Sequence, residues 1–187
     1  MEFVAGKALE AILADTVGFL PADPVVDWAI QVCDVLSYMH SHKPHPIIFR
    51  DMKPSNIMVD EFGHVKLIDF GIARVFQDNQ KGTMVGTEGY SPPEQYRGIV
   101  DQRSDVYALG ASLHHLLTKQ DPRLEPPFSF QERPIQQANP DVPDSLAAIV
   151  NKALEYDVDL RFASAEQLKN SLARLQTSRS AKPLAVP

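Results

Sequence analysis

The sequence predicts an α+β domain, mainly α-helical, with a small β-hairpin region bearing a polar loop. Three observations predict it. Apolar residues recur at three- and four-residue steps in several separate stretches, the period of a buried helical face. The block between residues 47 and 68 breaks instead into short apolar, largely β-branched runs bounded by turn residues. With 187 residues, 44% of them hydrophobic and 22% charged, the chain can bury a sizeable core, which argues against disorder.

The elements follow in order. Met1-Glu2-Phe3-Val4-Ala5-Gly6 reads as an apolar, strand-like stretch running into a glycine, and Ala8 to Ala14 as a short helix. Pro21-Ala22-Asp23-Pro24 supplies a stop and then a start, with Asp23 able to cap and Pro24 suited to the first helical position. Val25, Trp28, Val32, Leu36 and Met39 then mark one face of a long core helix, with Cys33 on or near its buried side. Two prolines, Pro44 and Pro46, forbid its continuation. Ile47-Ile48-Phe49, Ile57-Met58-Val59 and Val65-Lys66-Leu67-Ile68 read as strands, with Asp60-Glu61-Phe62-Gly63 as a hairpin loop between the second and third. Residues 71 to 98 show no sustained period, and a loop of that length is usually functional. Ser104 is expected to cap a second periodic helix bearing Val106, Leu109, Leu113 and Leu116. After an irregular proline-rich connector, Pro122 to Pro143, two more helices are predicted. One runs from Asp144 to Glu155 with Leu146, Ile149 and Ala153 inward, the other from Ser164 to Gln176 with Leu168, Leu172 and Leu175 inward. Residues 177–187 read as a linker or tail, and no solenoid-type repeat appears.

Composition excludes several function classes. The 24 acidic and 18 basic side chains give a net charge of −6, with no electrostatic footprint for nucleic acid or an anionic membrane. The single cysteine, Cys33, can form no intrachain disulfide and points to a reducing compartment. No apolar run approaches the roughly 20 residues of a membrane span and no signal pattern opens the sequence, so a cytoplasmic location is expected. His40, His42 and His45 lie close together but lack the framing of a zinc site, and they read as a solvated helix end. His114 and His115 point apart on one helix, with one of them packed on the core, and Trp28 and Phe62 read as packing residues.

The chemistry lies in Arg50-Asp51-Met52-Lys53-Pro54-Ser55-Asn56, a polar loop between two strands, and in Asp69-Phe70-Gly71 directly after a third. Four fixed residues in the first motif arise by chance on the order of once in 10⁵ positions. The second follows where the hairpin would bring it back. The sequence resembles the carboxy-terminal lobe of eukaryotic-type serine/threonine protein kinases, whose metal-binding Asp-Phe-Gly matches the second motif. The resemblance implies phosphoryl transfer from Mg-ATP to protein Ser/Thr hydroxyls. Asp51 would accept or orient the proton of the attacking hydroxyl, Lys53 would reach the transferring phosphoryl group, and Asn56 and Asp69 would supply oxygens to Mg²⁺. Gly86-Thr87 and Ser91-Pro92-Pro93-Glu94 stand where kinases close the activation loop, with Pro92 replacing the usual alanine, and Thr87 with Lys53 is the serine/threonine combination. By the same resemblance Asp105 would accept backbone hydrogen bonds from the catalytic loop, and Arg161 would pair with Glu94. Met1 would be the gatekeeper, Glu2 and Val4 would offer backbone groups to adenine, and Met58 would floor the adenine pocket. Arg50 suggests regulation by an anionic partner in the loop, with Thr83 the candidate phosphate acceptor and Thr87 the second.

Two departures stand out. Phe49 replaces the usual histidine before Arg-Asp; it can pack under Phe70 but cannot hydrogen-bond. The glycine-rich phosphate loop, the strand lysine and its helix glutamate would all precede Met1. The resemblance then divides the chain into a hinge-like segment, 1–7, and a kinase carboxy lobe, 8–176, about two-thirds of a kinase domain. A missing or separate amino lobe is the expected partner beside the protein substrate. Without it, weak Mg-ATP binding, slow or no transfer, and self-association through exposed apolar surface are expected. The alternative is a non-catalytic kinase-like interaction module. A small-molecule phosphotransferase is disfavoured by Thr87, Pro93-Glu94 and Arg161, which in the resembling family build the protein-substrate platform.

Overall fold

The computed structural model describes residues 6–70, 74–75 and 86–180. Strand β1 (Lys7–Ala8) leads into helix α1 (Leu9–Asp15) and the long helix α2 (Ala22–His40). Strands β2 (Ile47–Ile48), β3 (Ile57–Val59), β4 (Val65–Leu67) and β5 (Arg74–Val75) follow. Helices α3 (Gln102–Thr118), α4 (Ile135–Ala138), α5 (Asp144–Ala153) and α6 (Ala165–Ser180) complete the chain. β3 pairs antiparallel with both β1 and β4, and β2 pairs with β5. The architecture is the expected α+β, mainly helical one.

Helix α3 organises the core. Every residue from Ser104 to Thr118 is buried, so its apolar side chains point to all sides and its polar ones need partners. Ser112 and Thr118 satisfy theirs on the carbonyls of Ala108 and His114, one turn back. Gly110 lets α5 approach: a Cβ there would stand 2.9 Å from the Ala153 Cβ. Helix α2 packs its Val25–Val32–Leu36–Met39 face inward, and Leu168 and Leu172 of α6 are buried in the same core. Exposed pairs such as Lys169 with Asp34 lace α6 to α2.

Several expectations need correction. Helix α2 starts at Ala22 with Pro21 as its extended N-cap, so Asp23 sits in the first turn and does not cap. Pro24 is tolerated there because first-turn N–H groups have no intrahelical partner. Asp101, not Ser104, caps α3: its carboxylate accepts the Arg103 N–H at 2.7 Å, and Ser104 closes the capping box three residues on. Helix α5 stops at Ala153, and its buried face runs through Leu146, Val150 and Ala153, with Ile149 at the margin. Helix α6 continues to Ser180, past the predicted end at Gln176 and into the stretch read as a linker. Phe62 is 75% exposed at the hairpin tip, where Asp60 accepts from the Phe62 and His64 N–H groups and so sets the loop without using the ring. His40 is buried, while His42 and His45 are exposed as expected. Both His114 and His115 are buried, and not just one. Strands β1 and β5 were not expected. Two residues carry no period, and only their partners on β3 and β2 define them.

Candidate active site

The loop between β2 and β3 is fastened to α3 through its backbone. Asp105, fully buried, accepts the N–H of Phe49 at 2.9 Å and of Arg50 at 2.8 Å. The His40 ring meets the same carboxylate at 2.8 Å, so a residue read as solvated completes its hydrogen bonding. Gln95 donates to the Arg50 carbonyl at 3.0 Å. The Met52 side chain is fully buried. Asp51 therefore projects from a segment whose neighbours on both sides are held. Arg50 adopts φ 70°, a left-handed backbone that a non-glycine residue keeps only where its surroundings enforce it.

Four side chains converge on this loop. Lys53 Nζ lies 2.9 Å from Asp51 Oδ2 and donates to Thr87 Oγ1 at 2.7 Å. Thr87 in turn donates to Asp51 Oδ1 at 2.6 Å. Asn56 Nδ2 donates to the Asp51 carbonyl at 2.8 Å and to Oδ2 at 3.0 Å. Burial by itself would raise the Asp51 carboxyl. The hydrogen bonds from Thr87, Lys53 and Asn56, with the Lys53 charge, outweigh it and hold the group below its ordinary value. Asp51 is thus a carboxylate at neutral pH, and Oδ1 accepts Thr87 alone among the described residues, so a lone pair remains for an incoming hydroxyl.

The hairpin brings the second motif back. The β3–β4 ladder pairs Ile57 with Leu67, and the next rung, Ile68 N–H to the Asn56 carbonyl at 3.0 Å, places Asp69 just beyond Asn56. Asp69 is exposed and has φ 61°. Because Asn56 spends its amide N–H₂ on Asp51, its remaining polar atom is an oxygen. Asn56 and Asp69 therefore offer the hard oxygen donors that suit Mg²⁺, a cation that keeps its other positions for phosphate and water. Phe70 packs edge-on against Phe49 with ring centres 5.3 Å apart, so phenylalanine in place of histidine preserves the packing. Met58 is half-buried on β3, opposite Ala8 and Lys66.

The far end of the loop that carries Thr87 is clamped by Glu94. Its carboxylate receives Arg161 at 2.6 and 2.9 Å and Ser104 at 3.0 Å, and the Arg161 guanidinium also lies 4.7 Å over the Tyr107 ring. Met1, Glu2, Val4, Gly71 and Thr83 lie outside the described residues. Sequence reasoning missed Gln95, which donates to the Arg50 carbonyl from 45 residues away, and His40, which supports the Asp105 carboxylate from 65 residues away. Nothing in local spacing marks them. Among the described residues no group of three or more His, Cys, Asp or Glu side chains is placed to hold a metal.

Comparison with known proteins agrees with this geometry. Residues 1–172 match the protein kinase domain family. The chain belongs to the protein kinase family. It is 36% identical over 190 residues to the serine/threonine-protein kinase PknB of Mycobacterium leprae, an alignment covering 95% of this chain and 30% of that protein. PknB of Mycolicibacterium smegmatis is 36% identical over 194 residues, with 94% and 30% covered. A probable serine/threonine-protein kinase of Clostridium acetobutylicum is 31% identical over 190 residues, with 95% and 28% covered. The chain thus spans about 30% of the length of the curated relatives it matches, and the matched part is a partial kinase domain consistent with the carboxy-terminal lobe. No helix among the described residues is long and apolar enough to cross a membrane.

Proposed function

We propose that this kinase lobe carries the acceptor side of phosphoryl transfer from Mg-ATP to serine and threonine hydroxyls of protein substrates. The observation that supports it most directly is the closed set of hydrogen bonds joining Asp51, Lys53, Thr87 and Asn56. Asp51 Oδ1 receives the substrate hydroxyl and orients it, and the depressed carboxyl favours orientation over outright proton removal before the transition state. Lys53, already against Asp51, supplies a point charge next to the transferring phosphoryl group. Asn56 and Asp69 would hold Mg²⁺, while Met58 and, by resemblance, Met1, Glu2 and Val4 would line the adenine site. Bound Mg-ATP brings the phosphoryl group and neutralises charge on its oxygens.

The glycine-rich phosphate loop and its lysine are not among these 187 residues. An amino lobe provided by other polypeptide would form the second wall of the cleft and exclude water. Arg50 and Thr83 form the proposed regulatory pair, in which a phosphate would add about −1.5 to −2 charge to the loop. The test is transfer of radiolabelled γ-phosphate to a Ser/Thr peptide mixture, by the chain alone and with an amino lobe of a relative added. Transfer that appears with the lobe and falls by a factor of ~10² or more in Asp51→Asn supports the reading. Equal signals from wild type and Asp51→Asn under both conditions would leave the non-catalytic interaction module.

A further inference from the structure

Gln95 and Ser91 are not among the side chains that meet Asp51 directly, yet both are buried close by, at 3% and 4% exposure. A buried amide needs partners for its two N–H groups, and the partners it has found decide what it holds. One N–H of Gln95 Nε2 goes to the Arg50 carbonyl at 3.0 Å and the other to Ser91 Oγ at 3.2 Å. Turning the amide over would face Oε1 with the Arg50 carbonyl, two acceptors with no proton between them, so the surrounding groups fix its orientation. The Ser91 hydroxyl, having accepted from Gln95, donates its own proton to the Thr87 carbonyl at 3.1 Å. Thr87 in turn donates its hydroxyl to Asp51 Oδ1 at 2.6 Å. Arg50 and Asp51 share a peptide bond, so the chain of contacts closes on itself. It runs from Arg50 through Gln95, Ser91 and Thr87 to Asp51 and joins the catalytic loop to the segment that carries Thr87.

The backbone is shaped around this ring at two points. Arg50 keeps its left-handed φ of 70° with both of its polar backbone groups engaged, the N–H by Asp105 at 2.8 Å and the carbonyl by Gln95. That carbonyl belongs to the peptide plane leading into Asp51, so Gln95 sets the direction from which the Asp51 side chain leaves the loop. Gly86, with φ 147°, passes so close that a Cβ there would stand 2.2 Å from both Gln95 Nε2 and Ser91 Oγ. No side chain fits at position 86 unless one of those two atoms moves.

Resting on the phosphoryl-transfer reading, we infer that Gln95 and Ser91 are positioning residues for that reaction, closing the ring that holds the Asp51 carboxylate against Thr87 in one orientation toward the acceptor hydroxyl. Each acts through a neighbour, Gln95 through the Arg50 peptide and Ser91 through the Thr87 carbonyl. Opening the ring at either link frees the same carboxylate, so the loss belongs to the ring as a unit and not to each bond separately.

The experiment is a double-mutant cycle on the intact chain, assayed with the amino lobe of a relative added. Gln95→Met keeps the length of the side chain and loses both donors, and Ser91→Ala removes one hydroxyl. Each single variant is expected to lower kcat for a Ser peptide about tenfold, short of the roughly 10²-fold that a full 1 Å misplacement costs, with KM for ATP unchanged. The double variant should lose no more than the worse single one, since a ring broken once is already open. In the chain alone, the χ1 angle of Thr87 is read from three-bond couplings to its ¹³C-labelled methyl, and it should pass from one rotamer to an average in either variant. Losses that multiply in the double variant, a KM for ATP that rises as kcat falls, or a Thr87 side chain that keeps one rotamer in both variants would overturn the inference. Ser91→Ala, the smaller change, carries the test by itself should Gln95→Met not fold. Transfer that neither variant alters sinks the positioning role and leaves the kinase reading standing. A wild type that transfers nothing with the lobe added, while Thr87 loses its single rotamer in both variants, leaves the ring standing and sinks the kinase reading.

Discussion

Asp51 owes its chemistry to three neighbours distant in sequence or offset on the loop, and each can be removed. Thr87→Val deletes a hydrogen bond that lowers its carboxyl, so the group should rise toward or above the ordinary 3.8, followed by side-chain ¹³C NMR. The sign for stability follows from the same depression. A carboxyl lowered in the folded state stabilises the fold above its unfolded value, and that stability is lost as pH falls through the lowered native value. Wild-type protein should therefore keep this contribution at pH values where the Thr87→Val variant has begun to lose its own. Arg161 and Glu94 form a pair of another kind. The arginine side chain is wholly buried and the glutamate 15% exposed. Arg161→Ala would strand the carboxylate beside Tyr107, and breaking such a pair typically costs about 3–5 kcal/mol, to be read from urea unfolding. Their pairing was expected from the resemblance to protein kinases, whereas the part played by His40 was not. A histidine at a helix end looks solvated until the helix it leans on is known.

The elements divide in the same way. Helices α2, α3, α5 and α6 carry enough apolar residues at helical spacing to be read directly, yet their ends depended on local chemistry that the period ignores. Asp101 displaced Ser104 as the cap of α3 because its carboxylate reaches the Arg103 N–H and also draws in the Arg103 guanidinium. The two-residue strands β1 and β5 exist only as partners. The close approach of α3 to α5 rests on Gly110. Gly110→Val should cost roughly 2–3 kcal/mol through overpacking against Ala153 and Leu154. Gly110→Ala should cost less, since alanine recovers about 1 kcal/mol of helix propensity. Urea midpoints of the two variants check both the sign and the order.

Across the described residues one contiguous apolar cluster runs through all the longer helices and includes Leu9, Leu36, Leu109, Leu146 and Leu172. Trp28 packs against it as the chain's one tryptophan. Unfolding followed by Trp28 fluorescence and by far-UV circular dichroism should therefore coincide in a single transition. Two separated transitions would show that the hairpin region and the helices come apart independently. The sequence by itself determined the class of the fold and the helical faces, because these depend on residue type and spacing along the chain, and its resemblance to protein kinases singled out Asp51, Lys53, Asn56, Asp69, Glu94 and Arg161 as candidates. Only the tertiary structure decided which groups hold them. His40 against Asp105, Gln95 on the Arg50 carbonyl, and Tyr90 against His115 are contacts between segments far apart in sequence. Such contacts leave no periodic trace, since each follows from how whole helices pack around α3.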